Sequence, residues 1–149
     1  MSAAPAPHHR QPLVTLWLVQ LVGTMVLAAI VVWFYRTNGP LFKSDPQWSF
    51  YALYGIVLAI APAMMYLRRF REWMREDEQS AQKHGGQPNP AIRKGLQTSL
   101  ALGSALCELP QAVGVAHLML GGEMRWFLGS TLITIALRLS YRPFDKKNG

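Results

Sequence analysis

The chain has 149 residues, half of them hydrophobic and 15% charged, against about 25% charged in average soluble domains. Its formal net charge is +7, and its lysines and arginines gather at the ends of long apolar blocks, a pattern that argues against a soluble globule and against a nucleic-acid surface. A single cysteine, Cys107, excludes an internal disulfide and a cysteine-built metal cage.

Residues 1–12 are rich in alanine and proline and carry His8, His9 and Arg10; this composition predicts a disordered tail. The first apolar block, 13–35, is longer than the core of a signal peptide. It closes in VVWFYR with no small-residue cleavage site, so it reads as a retained anchor. A crossing needs about 20 apolar residues, and Trp33 and Tyr35 supply the aromatic belt expected at a membrane surface. Asn38-Gly39-Pro40 and Asp45-Pro46 are turn signals.

A second span is predicted over 48–67. Gly55, Ala59 and Ala63 stand four apart, a stripe of small residues that lets another helix approach. Pro62 should kink its last turns. The charged stretch that follows reads as a helical extension to residue 82, broken by Gly85-Gly86, Pro88 and Pro90. We take its charge as a solvated face and topology signal; the alternative is a docking site for a partner or an acidic lipid.

The third span, 96–120, carries one carboxylate, Glu108, at its middle, and Pro110 two residues on. The fourth, 124–141, follows the short reversal Gly121-Gly122-Glu123, so spans three and four should form a tight antiparallel hairpin. Arg125 and Arg138 lie near its ends and are expected to snorkel to the surface. Residues 142–149 form a basic tail, and no internal repeat is visible.

Loop 68–95 holds seven lysines and arginines, the first loop two, and the last hairpin one. With four spans, this asymmetry places both termini and loop 68–95 in the cytoplasm. The expected fold is therefore all-α: an integral membrane four-helix bundle in a bacterial-type inner membrane.

Glu108 is the leading candidate for chemistry. An acidic residue at the bilayer centre costs about 2.5–3.5 kcal/mol on insertion scales. Gln97, Ala101, Ser104, Gln111 and Val115 share its face. Gln111, one turn on, and the Leu106 carbonyl freed by Pro110 are its expected hydrogen-bond partners, with no cation visible at matching depth. This makes Glu108 and Gln111 candidates for a proton or cation site, or for glue to a neighbouring helix. His117 lies half a turn away, on a face shared with Ser99, Gly103, Pro110 and Gly114, and reads as a packing residue. Gly55, Ala59, Ala63, Ser99, Gly103 and Gly114 are the candidate helix-packing positions. No nucleophilic triad, phosphate loop, metal-ligand spacing or dinucleotide fingerprint is present, so no metal, cofactor or enzymatic activity is expected.

The run Gly103-Ser104-Ala105-Leu106-Cys107-Glu108 with Ala112 and Gly114 resembles the carboxylate-bearing helix of the ATP synthase subunit c family, and QPNPAIRKG before it resembles that family's polar loop. The likeness implies an ion-site role for Glu108. Span two lacks the family's glycine repeat, and loop 68–95 is far longer than its loop. The chain is also similar to the ATP synthase protein I family in span count, in a glycine-to-proline stretch like Gly55 to Pro62, and in a glutamate in span three; Ala112 stands where that family carries a basic residue. A third likeness is to small bacterial membrane proteins with an ALxE…G helix and a short final span ending in Arg-Pro. Together these readings imply a non-enzymatic accessory or assembly subunit within the lipid bilayer, bound to a membrane-protein partner or to its own copies, with no nucleic acid. The alternative is proton or cation translocation through Glu108.

Overall fold

A computed structural model describes residues 11–42, 46–83 and 89–143. His8 and His9, the break at Gly85-Gly86 and Pro88, Asp45, and Lys146-Lys147 lie outside the described residues. The described residues form five helices and no strand: α1 (Gln11–Asn38), α2 (Pro46–Lys83), α3 (Pro90–Cys107), α4 (Leu109–Met119) and α5 (Met124–Ser140). Three helical stretches are long and apolar enough to cross a membrane: Pro12–Asn38, Phe50–Lys83 and Pro90–Met119. At 17 residues, α5 rises only about 25 Å, short of a bilayer core of about 30 Å.

Local chemistry sets the helix ends. α1 stops at Gly39, whose φ of +73° is left-handed and whose N–H donates to the Tyr35 carbonyl at 2.8 Å, the glycine termination that other residues resist. α2 opens with a proline, where the missing N–H costs nothing. It continues through Pro62 to Lys83, so the charged stretch after the second apolar block is helical. α3 starts from Asn89, whose Oδ1 accepts the Ala91 N–H at 3.0 Å, with Pro90 in the first turn.

The third predicted span is two helices. Pro110 has no N–H to donate to the Leu106 carbonyl, and the ladder breaks at the preceding turn. The Glu108 N–H turns to the Ala105 carbonyl at 3.2 Å, and the Ala112 N–H resumes the pattern on the Glu108 carbonyl at 2.9 Å. The carboxylate thus sits on the one residue that separates α3 from α4.

The reversal between α4 and α5 is tight because Gly121 takes φ +87° and Gly122 yields its side-chain space to the His117 imidazole. His117 is buried. Its carbonyl accepts the Gly122 N–H at 2.9 Å and its Nε2 accepts the Glu123 N–H at 3.2 Å. At the same end, the Phe42 N–H donates to the Met119 carbonyl at 3.0 Å.

Packing is strongest between α2 and the α3–α4 pair, and between α4 and α5. Two apolar clusters form. One joins Leu13, Ala63, Phe70, Leu100, Leu137 and Tyr141 near the start of α1. The other joins Val31, Leu118 and Phe127 near its end. In the first, the Tyr141 hydroxyl donates to the Ala63 carbonyl at 2.5 Å, and its ring lies where a side chain at Gly103 would be. Outside the bundle, Val19, Ile30, Val57, Leu58 and Met65 are exposed. So much unpartnered apolar surface is the mark of a membrane-facing or interaction surface.

Candidate functional site

The site is a polar layer between the two apolar clusters. α1 and α4 run in one direction and α5 in the other. The Trp17 Nε1–H donates to the Arg138 carbonyl at 2.8 Å, which sets the end of α5 against the early turns of α1. Further on, the Gln111 amide donates to the Thr24 carbonyl at 3.2 Å. Beyond that lies the cluster of Val31, Leu118 and Phe127. Gln20 and Thr24 of α1, Gln111 of α4, and Thr131, Thr134 and Arg138 of α5 therefore fall in one slab. All but the half-buried Gln20 are buried.

Arg138 is the residue that sequence reasoning missed. It does not snorkel: its side chain is almost wholly buried, and its Nη2 donates to Glu108 Oε1. Two features hold it inside. Leu137 and Tyr141 on either side of it belong to the apolar cluster, so α5 is still in the core when it reaches Arg138. Thr134 and Thr131, one and two turns earlier, carry the same polar face. That stripe was visible in the sequence, as was the hairpin. Stepping outward from Gly121-Gly122 brings Gly114 to Ser130 and Gly103 to Tyr141, with Glu108 and Arg138 between.

Two expectations are corrected. Glu108 does have a cationic partner at its own depth. Gln111 does not serve it: the Gln111 amide is turned to α1, leaving Glu108 to Arg138. The Glu108 carboxylate itself points outward and is more than half exposed.

The predicted packing positions lie within the bundle. Gly55 faces Val113 of α4, Gly103 faces the Tyr141 ring and Gly114 faces Ser130. Ala63 and Ser99 are buried and Ala59 is half-buried. Cys107, next to Glu108, is a buried free thiol. Arg125 pairs with Glu123 at the reversal. Among the described residues, no three of His, Cys, Asp and Glu come together in a set that could hold a metal ion.

Several buried polar atoms of the layer have no hydrogen-bond partner among the described residues: Gln20 Oε1, Gln111 Oε1, Thr131 Oγ1, Thr134 Oγ1, and Nε and Nη1 of Arg138. Each such group costs about 1–3 kcal/mol when left unsatisfied. Two amide oxygens, two hydroxyls and a guanidinium form a set of acceptors and donors able to order water, which needs 2–4 polar partners, or to relay a proton. They do not resemble an acid–base or nucleophile pair aimed at a bound substrate. Comparison with protein families, with curated proteins and with solved structures gave no match.

Proposed function

We propose that this is a four-span membrane protein of a bacterial-type inner membrane, with both termini cytoplasmic, acting as a non-enzymatic accessory or assembly subunit. The reading rests on the outer face of α3 and α4. Ala101, Ala105, Ala112 and Ala116 are all exposed, at spacings of four and seven, and Glu108 is exposed among them. A small-residue stripe admits a neighbouring helix to close range. A carboxylate on such a face is expensive toward hydrocarbon and is relieved when another protein covers it. The partner is a transmembrane helix of another subunit or of a second copy.

Ala105→Leu combined with Ala112→Leu fills that stripe from outside without touching the core. In a gentle detergent, the wild-type chain should co-purify with its partner or as an oligomer. The double variant should run alone with unchanged helical content by circular dichroism. A wild-type chain that is monomeric both in detergent and after cross-linking in membranes removes the subunit reading.

The second reading, proton or cation translocation, is favoured by the unpartnered polar atoms beside the Glu108–Arg138 pair. Its test is flux into liposomes holding equal amounts of inserted protein, which Glu108→Gln should abolish.

A further inference from the structure

A second polar feature lies away from that layer, where α2 and α3 leave the apolar part of the chain. A groove of about 390 Å³ opens there, lined by Tyr66, Arg69 and Trp73 of α2 and by Lys94, Thr98 and Ser99 of α3, among others. On α2, the apolar block ends at Leu67 and Arg69 follows. On α3, Arg93 and Lys94 stand just before Leu96, where the long apolar block begins. Both helices therefore change from charged to apolar within the groove, which is where a headgroup layer meets hydrocarbon.

The lining has one sign. Arg69 and Lys94 are exposed, form no ion pair among the described residues, and share the groove with no carboxylate. The positive end of the α3 dipole adds to them, since Ala91 in its first turn also lines the groove. The floor is fixed: the Trp73 indole packs against Gly95, where an added Cβ would sit 2.8 Å from Cζ3. Thr98 donates its proton to the Lys94 carbonyl at 3.0 Å, which leaves the guanidinium and the ammonium as the charged donors, with the Tyr66 hydroxyl beside them. Toward the apolar side the same faces continue into Met65 and Leu102, both exposed, a surface on which acyl chains can lie.

We infer that this groove binds the phosphodiester of an anionic glycerophospholipid, with its acyl chains along Met65 and Leu102. Two cations with no facing carboxylate attract the phosphate and repel the ammonium of a zwitterionic headgroup, which sets the selectivity. The inference relies on the membrane location proposed above but on no protein partner.

The test is native mass spectrometry of the full chain in detergent, titrated with phosphatidylglycerol, phosphatidylcholine or inorganic phosphate. Wild type should bind phosphatidylglycerol in preference to phosphatidylcholine. Arg69→Gln and Lys94→Gln should each weaken that binding about fivefold, and together about twenty-five-fold. Arg36→Gln with Arg142→Gln, the same charge change elsewhere, should leave it unaltered. Ala91→Trp, which blocks the groove and keeps both cations, should also lose the adduct, and it separates site loss from a folding defect in the charge variants. Equal binding of the two lipids, equal losses in both charge pairs, or displacement of lipid by millimolar inorganic phosphate would overturn the inference. Ala105→Leu with Ala112→Leu should leave lipid binding intact, so failure of the subunit reading is told apart from failure here.

Discussion

Arg138 is buried in the bundle with 1% of its side chain exposed, yet the carboxylate it meets, Glu108, has 57% of its own exposed. The pair is thus a cation anchored in the core and an anion presented on the surface. Removing one member of a buried ion pair is strongly destabilising because the other charge is left uncompensated. Glu108→Gln strands a buried guanidinium, and Arg138→Gln leaves a carboxylate without its cation on a face that, in the proposed membrane setting, is costly for charge, so each change should destabilise the protein. A double-mutant cycle followed by unfolding in mixed micelles should give a coupling of about 1–3 kcal/mol. A coupling of zero would mean that the two charges do not meet.

Gly103 and Tyr141 form a lock between α3 and the end of α5. Gly103→Ala should destabilise by about 1–3 kcal/mol, the usual cost of overpacking, because its methyl group enters the Tyr141 ring. Tyr141→Leu should restore part of that loss in the double variant. Tyr141→Phe, which removes only the hydrogen bond to Ala63, should cost about 0.5–1.5 kcal/mol. Thermal denaturation of the purified proteins ranks all four. If Gly103→Ala is silent, the close approach is wrong.

The hydroxyls of Thr131 and Thr134 have no partner among the described residues. Thr131→Val and Thr134→Val keep the side-chain shape and remove the buried polar atom. Where the layer is only structural, each change should be neutral or raise stability by about 1 kcal/mol and affect nothing else. Where it carries protons or cations, liposome flux should fall while stability rises. Measuring both quantities on the same variants decides between the readings.

Topology gives a further expectation. A reporter active only outside the cytoplasm should be silent at Gly149 and in 84–88, and active when inserted at Gly121. Activity at Gly149 would show that α5 does not cross, leaving only the three longer apolar stretches as spans.

The helices were legible in the sequence because apolar blocks, prolines and glycines act locally. Gly39 and Gly121 mark the turns where the chain takes positive φ, whereas Pro90, expected only to break a helix, opens α3 behind the Asn89 cap. Less legible was the partner of Glu108. Arg138 was placed by distance from the end of its span, whereas its position is set by what surrounds it. Trp17 and Tyr141 draw the last turn of α5 into the bundle, and snorkelling requires a free path to the surface. The role of the small residues was half legible. Gly103 and Gly114 do bring helices together, but within one chain, and the stripe open to a neighbour is formed by the alanines on the opposite side of α3 and α4.

The tight reversal at Gly121-Gly122 also bears on biogenesis. For a chain inserted as proposed, α5 is short and carries an arginine, and α4 begins beside a glutamate; each alone is a poor client for a translocon, which charges about 2.5–3.5 kcal/mol for either residue at mid-bilayer. Folded back on each other before release, the two helices enter as a single neutral hairpin. Synthesis order makes Glu108 wait for Arg138, so a chain stalled or cut between them should be retained at the membrane surface and handed to proteolysis, while the complete hairpin is released into lipid.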